Sequence, residues 1–111
     1  MPRTTSGLVK FRAVRPGSRV ALVAPASGFA RTEFDAGVAE LRRLGLEPVW
    51  TDDVFDRQPM TAGPARVRAA SLQSAFDEMD ADAVISIRGG YGSVEVLPLL
   101  DADRIARSRT A

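Results

Sequence analysis

The sequence predicts a three-layer α/β fold on a parallel sheet with strand order 2-1-3, and three observations lead there. Strand-like and helix-like patterns alternate along the chain. The first strand, Val20-Ala21-Leu22-Val23-Ala24, is an unbroken apolar run. A glycine cluster, Arg88-Gly89-Gly90-Tyr91-Gly92, follows the third strand directly. Alternating strands and helices imply right-handed crossovers and parallel pairing. An apolar run without polar alternation implies burial on both faces, which makes the first strand central. In flavodoxin- or Rossmann-like sheets of this order, functional loops gather at the carboxyl ends of the strands beside the reversal in strand order. Here those ends are Pro25-Ala26-Ser27 and the glycine cluster.

Each element has its own signal. After the first strand, Phe34, Val38, Leu41 and Leu44 recur at helical spacing while Glu33, Glu40, Arg42 and Arg43 fall elsewhere, which predicts an amphipathic helix over 33–44. Thr32 is expected to cap it by accepting from the amide of Asp35, and Gly45 to close it. Glu47-Pro48-Val49-Trp50 reads as a strand whose proline suits an edge. Residues 51–61 are polar and read as a connecting loop. Gly63-Pro64 then opens a second helix, with Ala65, Ala69, Leu72, Phe76 and Met79 as its apolar stripe. Ala83-Val84-Ile85-Ser86-Ile87 is the third strand. A short helical piece from Ser93 is broken by Pro98, and Asp101 begins another turn. Residues 1–16 read as an N-terminal extension and 17–111 as one α/β domain that stops before a fourth strand, leaving one sheet edge unpaired.

Composition narrows the function classes. The chain has 111 residues, 45% of them hydrophobic and 26% charged, as expected for one globular domain without a membrane span. Fifteen basic against fourteen acidic residues leave a net charge of +1, too small a field to predict a nucleic-acid or anionic-lipid partner. There is no cysteine, so thiolate chemistry is excluded. No signal-peptide-like run opens the chain, since Arg12, Arg15 and Arg19 interrupt it, and a cytoplasmic location is expected. The absence of histidine excludes any Ser-His or His-metal constellation within these residues. Neither cofactor nor metal is expected.

The chemistry therefore concentrates in the glycine cluster. Three glycines in four positions let the backbone adopt positive φ and approach a ligand closely, and successive N–H groups there can hold an anion or a developing oxyanion. A tight strand-to-helix turn is the plainer reading of the same glycines. The cluster completes neither a dinucleotide fingerprint nor a P-loop. Arg88 can fork a substrate carboxylate or pair with a local acid. Tyr91 can bond a substrate or cover the loop. Ser27 is a turn or cap residue, or a substrate contact, at the end of the first strand.

Gly17-Ser18-Arg19-Val20-Ala21-Leu22-Val23-Ala24-Pro25-Ala26-Ser27, the Ala62-Gly63 loop with Arg66 or Arg68 and Ala69 in the next helix, Asp82-Ala83-Val84, Arg88 to Ser93, and Leu97-Pro98-Leu99-Leu100-Asp101 occur in that order. Together they resemble the N-terminal domain of the LD-carboxypeptidases, serine peptidases that include the microcin C7 self-immunity proteins. The resemblance implies removal of terminal D-alanine from muropeptides in cell-wall recycling. It implies a Ser nucleophile activated by His and oriented by Glu, with backbone amides holding the oxyanion. It assigns that oxyanion role to the backbone of Gly89 or Gly90, and makes Arg88 and Tyr91 wall residues. Nucleophile, Glu and His belong to segments beyond Ala111 in the family pattern, Glu and His to a separate C-terminal domain, so these residues alone are expected to be inactive. The expected partner is a muropeptide or peptide-like small molecule, with a homodimer for the full-length family member. A stand-alone binding module, using the glycine loop and the open sheet edge, is the second reading.

Overall fold

A computed structural model describes residues 10–11, 13–26, 28–56, 63–77, 79–89, 92–108 and 110. Three strands, β1 (Arg19–Val23), β2 (Glu47–Val49) and β3 (Ala83–Ser86), form a parallel sheet in the order β2-β1-β3. The predicted order is thus observed. Val20 to Val23 pair with Ala83 to Ser86 on one side, while Arg19 to Ala21 pair with Glu47 to Val49 on the other. The helices are α1 (Arg31–Arg43), α2 (Ala65–Asp77), α3 (Ser93–Val96) and α4 (Ala102–Arg107).

Side chains alternate across a strand, so β1 feeds two cores. Val20, Leu22 and Ala24 face one core with Phe34 and Val38 of α1, joined by Phe29 and Val54. Ala21 and Val23 face the other with Ala75 of α2 and with Ala81. Burial on both faces is the reason the first strand carries no polar alternation.

The ends of α1 differ from expectation at the front and agree at the back. It starts at Arg31, two residues before the predicted position, so Thr32 lies inside the helix. Ala30 is the N-cap, with no side-chain bond, and its carbonyl accepts from the amide of Phe34 at 3.1 Å. At the other end Gly45 takes φ +87°, its N–H donates to Arg42, and the N–H of Leu46 donates to Leu41. This reverse turn closes the helix and packs Leu46 and Leu41 against the same core. It also stops the stripe early, so Leu44 is exposed rather than core.

Smaller differences follow the sheet edges. β2 ends at Val49, and Trp50 turns inward to the aromatic cluster. Pro48 sits on an edge strand, where a missing donor is tolerated. β3 ends at Ser86, although the Ile87 N–H still donates to Val23 at 2.8 Å. The connection after β2 holds a 3-10 turn, Asp52–Phe55, that plugs fully buried Val54 into the core. α2 ends at Asp77, leaving Met79 beyond the helix but packed on the second core. Past Val96 the chain tightens into a 3-10 turn over Leu97–Leu99 around Pro98. Asp101 caps α4 by accepting from the Arg104 amide. Beyond α4, buried Thr110 donates its hydroxyl to the Ala81 carbonyl at 2.9 Å, so the chain returns to the start of β3.

Candidate functional site at the carboxyl ends of β1 and β3

Because β1 and β3 are parallel neighbours, the loops that follow them leave the sheet side by side. One side chain ties them together. Arg68 projects from the first turns of α2 and its side chain is only 3% exposed. Its Nε donates to the Gly63 carbonyl at 3.0 Å. Its Nη1 donates to the carbonyls of Pro25 at 2.8 Å and Gly92 at 2.7 Å. Its Nη2 pairs with the Glu95 carboxylate at 3.2 Å. The loop after β1, the end of the glycine loop, the approach to α2 and the short helix α3 thus converge on one guanidinium.

Two glycines make this convergence attainable. Gly92 takes φ +103° as the N-cap of α3, and its carbonyl accepts from both Arg68 and the Glu95 amide. Gly63 takes φ +94°, and a Cβ there would lie 2.8 Å from the Cβ of Asp56. Gly63→Ala is therefore expected to cost about 2–4 kcal/mol, combining a left-handed backbone with a clash. Urea unfolding of the chain measures it, and a cost below 0.5 kcal/mol would show that the loop moves aside freely.

Of the sequence-predicted site residues, Arg88 and Gly89 are described. Arg88 is exposed and makes no ion pair among the described residues, so its reading as a partner of a local acid is not realised there. Its carbonyl accepts from the Ser86 hydroxyl at 2.9 Å, which fixes the first turn after β3. Gly89 is exposed with open space where a Cβ would stand, and its φ is not in the left-handed range. Ser27, Gly90 and Tyr91 lie outside the described residues.

A cavity of about 320 Å³ opens between α1 and β3 and reaches this end of the sheet. Leu22, Phe34, Val38 and Ile85 supply apolar wall, with Arg88, Glu33 and Glu40 as its charged groups. The Arg43 guanidinium binds Glu40 in a fork at 2.6 and 2.9 Å and holds its carboxyl below the usual carboxylate range. Glu40 therefore remains an anion on the solvent side of this groove. No group of metal-ligating side chains occurs among the described residues, and no described helix is long and apolar enough to cross a membrane.

Sequence reasoning gave Arg68 no task. Its signal was present: a charged residue stands between Ala65, Ala69 and Leu72 on the inward stripe of α2. An arginine at such a position must find partners inside, because burying an unpaired charge is costly.

Comparison with known proteins agrees with this architecture. A Streptomyces coelicolor protein provisionally named a carboxypeptidase is 40% identical over 97 residues, covering 85% of this chain and 31% of that protein. The murein tetrapeptide carboxypeptidase of Pseudomonas aeruginosa is 39% identical over 87 residues, covering 78% of this chain and 28% of the enzyme. The structure of the microcin C7 self immunity protein MccF in complex with aspartyl sulfamoyl adenosine superposes with a TM-score of 0.82 at 24% identity, over 93% of this chain and 31% of that one. The chain thus spans about a third or less of the length of these relatives. The family profile described as the LD-carboxypeptidase N-terminal domain matches residues 20–111, and the chain belongs to that family.

Proposed function

We propose that the chain is the N-terminal α/β domain of a serine-type LD-carboxypeptidase that removes terminal D-alanine from muropeptides during cell-wall recycling in the cytoplasm. Its share of the work is the oxyanion side of the site. The backbone N–H groups of Gly89 and Gly90 face the carbonyl oxygen as it gains charge, and Arg88, Tyr91 and Ser27 contact the substrate. The observation that carries this reading is the family match over the glycine loop, on a fold whose Arg68 bonds both Gly92, at the end of that loop, and Pro25, just after β1.

The chemistry divides accordingly. Attack on the amide carbonyl places negative charge on oxygen, and amides aimed at that position stabilise the transition state more than the ground state. An exposed guanidinium at Arg88 suits the carboxylate that ends a D-alanine substrate, because the fork accepts both oxygens. The chain contains no histidine, so the general base is supplied by the rest of the enzyme, and the family pattern puts the nucleophile and the orienting carboxylate there too. No structural observation favours the stand-alone binding module over this reading.

Incubation of the full-length protein with muramoyl tetrapeptide, followed by measurement of free D-alanine, tests the proposal. The full-length protein is expected to release one D-alanine per tetrapeptide, and residues 1–111 alone to release none. Absence of release by the full-length protein would remove the carboxypeptidase assignment.

A further inference from the structure

Arg68 is placed in a way that stability alone does not explain. A leucine at this position would continue the apolar stripe of Ala65, Ala69 and Leu72 without the penalty of burying a charge. The guanidinium instead directs four bonds from Nε, Nη1 and Nη2 to three backbone carbonyls and one carboxylate. Carbonyl dipoles offset the charge, and Glu95, whose side chain is 58% exposed, supplies the formal counter-charge. The three carbonyls belong to Gly63, Pro25 and Gly92, which lie outside the helices and strands, although that of Gly92 also accepts from the Glu95 amide where α3 begins. What the guanidinium holds is therefore the relative position of loops.

We propose that Arg68 is the positioning residue of the oxyanion-side loop. One nitrogen, Nη1, is bonded to both Pro25 and Gly92, so it sets the separation between the loop after β1 and the last glycine of the cluster. The Gly92 carbonyl is held from two directions, by Arg68 and by the Glu95 amide, while the Ser86 hydroxyl holds the Arg88 carbonyl. The carbonyls of Arg88 and Gly92 are thereby each held, and Arg68 is the anchor at Gly92. Glu95 orients the guanidinium through Nη2. Lysine cannot replace this arrangement, because a single ammonium lacks the planar spread that reaches Gly63 on one side and Pro25 and Gly92 on the other. The inference rests on the oxyanion role proposed above for Gly89 and Gly90.

The test uses the full-length enzyme and muramoyl tetrapeptide. Arg68→Lys is expected to lower kcat about 10- to 100-fold per folded molecule, with KM changing less than threefold, since a displaced loop misplaces donors that act only in the transition state. The amide signal of Gly89, which is not among the hydrogen-bond partners described for Arg68, is expected to move in the ¹⁵N spectrum of that variant. Guanidinium salt at low millimolar concentration is expected to restore part of the kcat lost in Arg68→Ala. An unchanged kcat per folded molecule in Arg68→Lys, with Gly89 unmoved, would overturn the proposal. Should Arg68→Lys fail to fold, Glu95→Gln decides: a threefold or greater loss of kcat supports positioning through the guanidinium, and an unchanged kcat overturns it. Gly90→Val separates the two levels. If it lowers kcat while the Arg68 and Glu95 variants do not, the oxyanion reading stands and the positioning role falls. If Gly90→Val has no effect, the oxyanion reading itself falls.

Discussion

Under the proposed function, Gly90→Val in the full-length protein is expected to lower kcat by about 10²–10³-fold while KM stays within about threefold, the loss typical of one oxyanion donor. The expectation comes from the neighbours of this position. Gly89 stands in open space, and Gly92 requires a positive φ at the cap of α3. Valine between them restricts the backbone, because its branched Cβ excludes many of the conformations glycine can take. With the donor role proposed for Gly90, a peptide plane that turns away would remove one bond to the developing oxyanion and leave substrate groups bound elsewhere unaffected. The split between kcat and KM is therefore the diagnostic, read from steady-state release of D-alanine. Equal turnover by the variant and the parent would end the oxyanion assignment.

Phe34→Ala is expected to destabilise the chain by about 3–5 kcal/mol, which is a large part of the roughly 5–15 kcal/mol available to a domain of this size. Phe34 is 4% exposed and stands at the hub of an aromatic cluster. Its ring stacks on Phe29 at 5.2 Å and meets Trp50 and Phe55 edge-on at 5.0 and 5.1 Å. The Arg31 guanidinium covers Phe55 at 4.3 Å from the ring centre. Truncation leaves a hole bounded by three rings that cannot all collapse into it. A fall of roughly 15–20 °C in the thermal midpoint is the corresponding observable. A loss below 1 kcal/mol would show that the cluster is loosely packed. Since Phe29 belongs to the loop after β1, the same cavity would also loosen one wall of the candidate site.

The first strand was legible because burial on both sides of the sheet leaves Val20 to Ala24 without a polar residue. The strand order followed from that run together with the alternation of strands and helices. The start of α1 was not legible, because the Ala30 carbonyl accepts from the Phe34 amide through backbone alone and no side chain marks the cap. The turn over Asp52–Phe55 escaped for a similar reason. Two aspartates followed by Val54 show no period, and only the core beneath reveals that Val54 is buried. At the site, the glycine cluster announced a loop with unusual backbone freedom. The task of Arg68 could not be read, because its carbonyl partners at Pro25 and Gly92 lie 43 and 24 residues away.

Those same separations have a kinetic consequence. Arg68 can complete its bonds only after β1, α2 and β3 have been brought together, so the carbonyls of Pro25 and Gly92 meet after two long chain closures whose entropy must already be offset. The bonds of Arg68 to Pro25 and Gly92 are thus expected to form late in folding, after the strands have paired. Amide hydrogens around Gly92 should exchange with solvent faster than those of β1, through local openings that leave both cores intact.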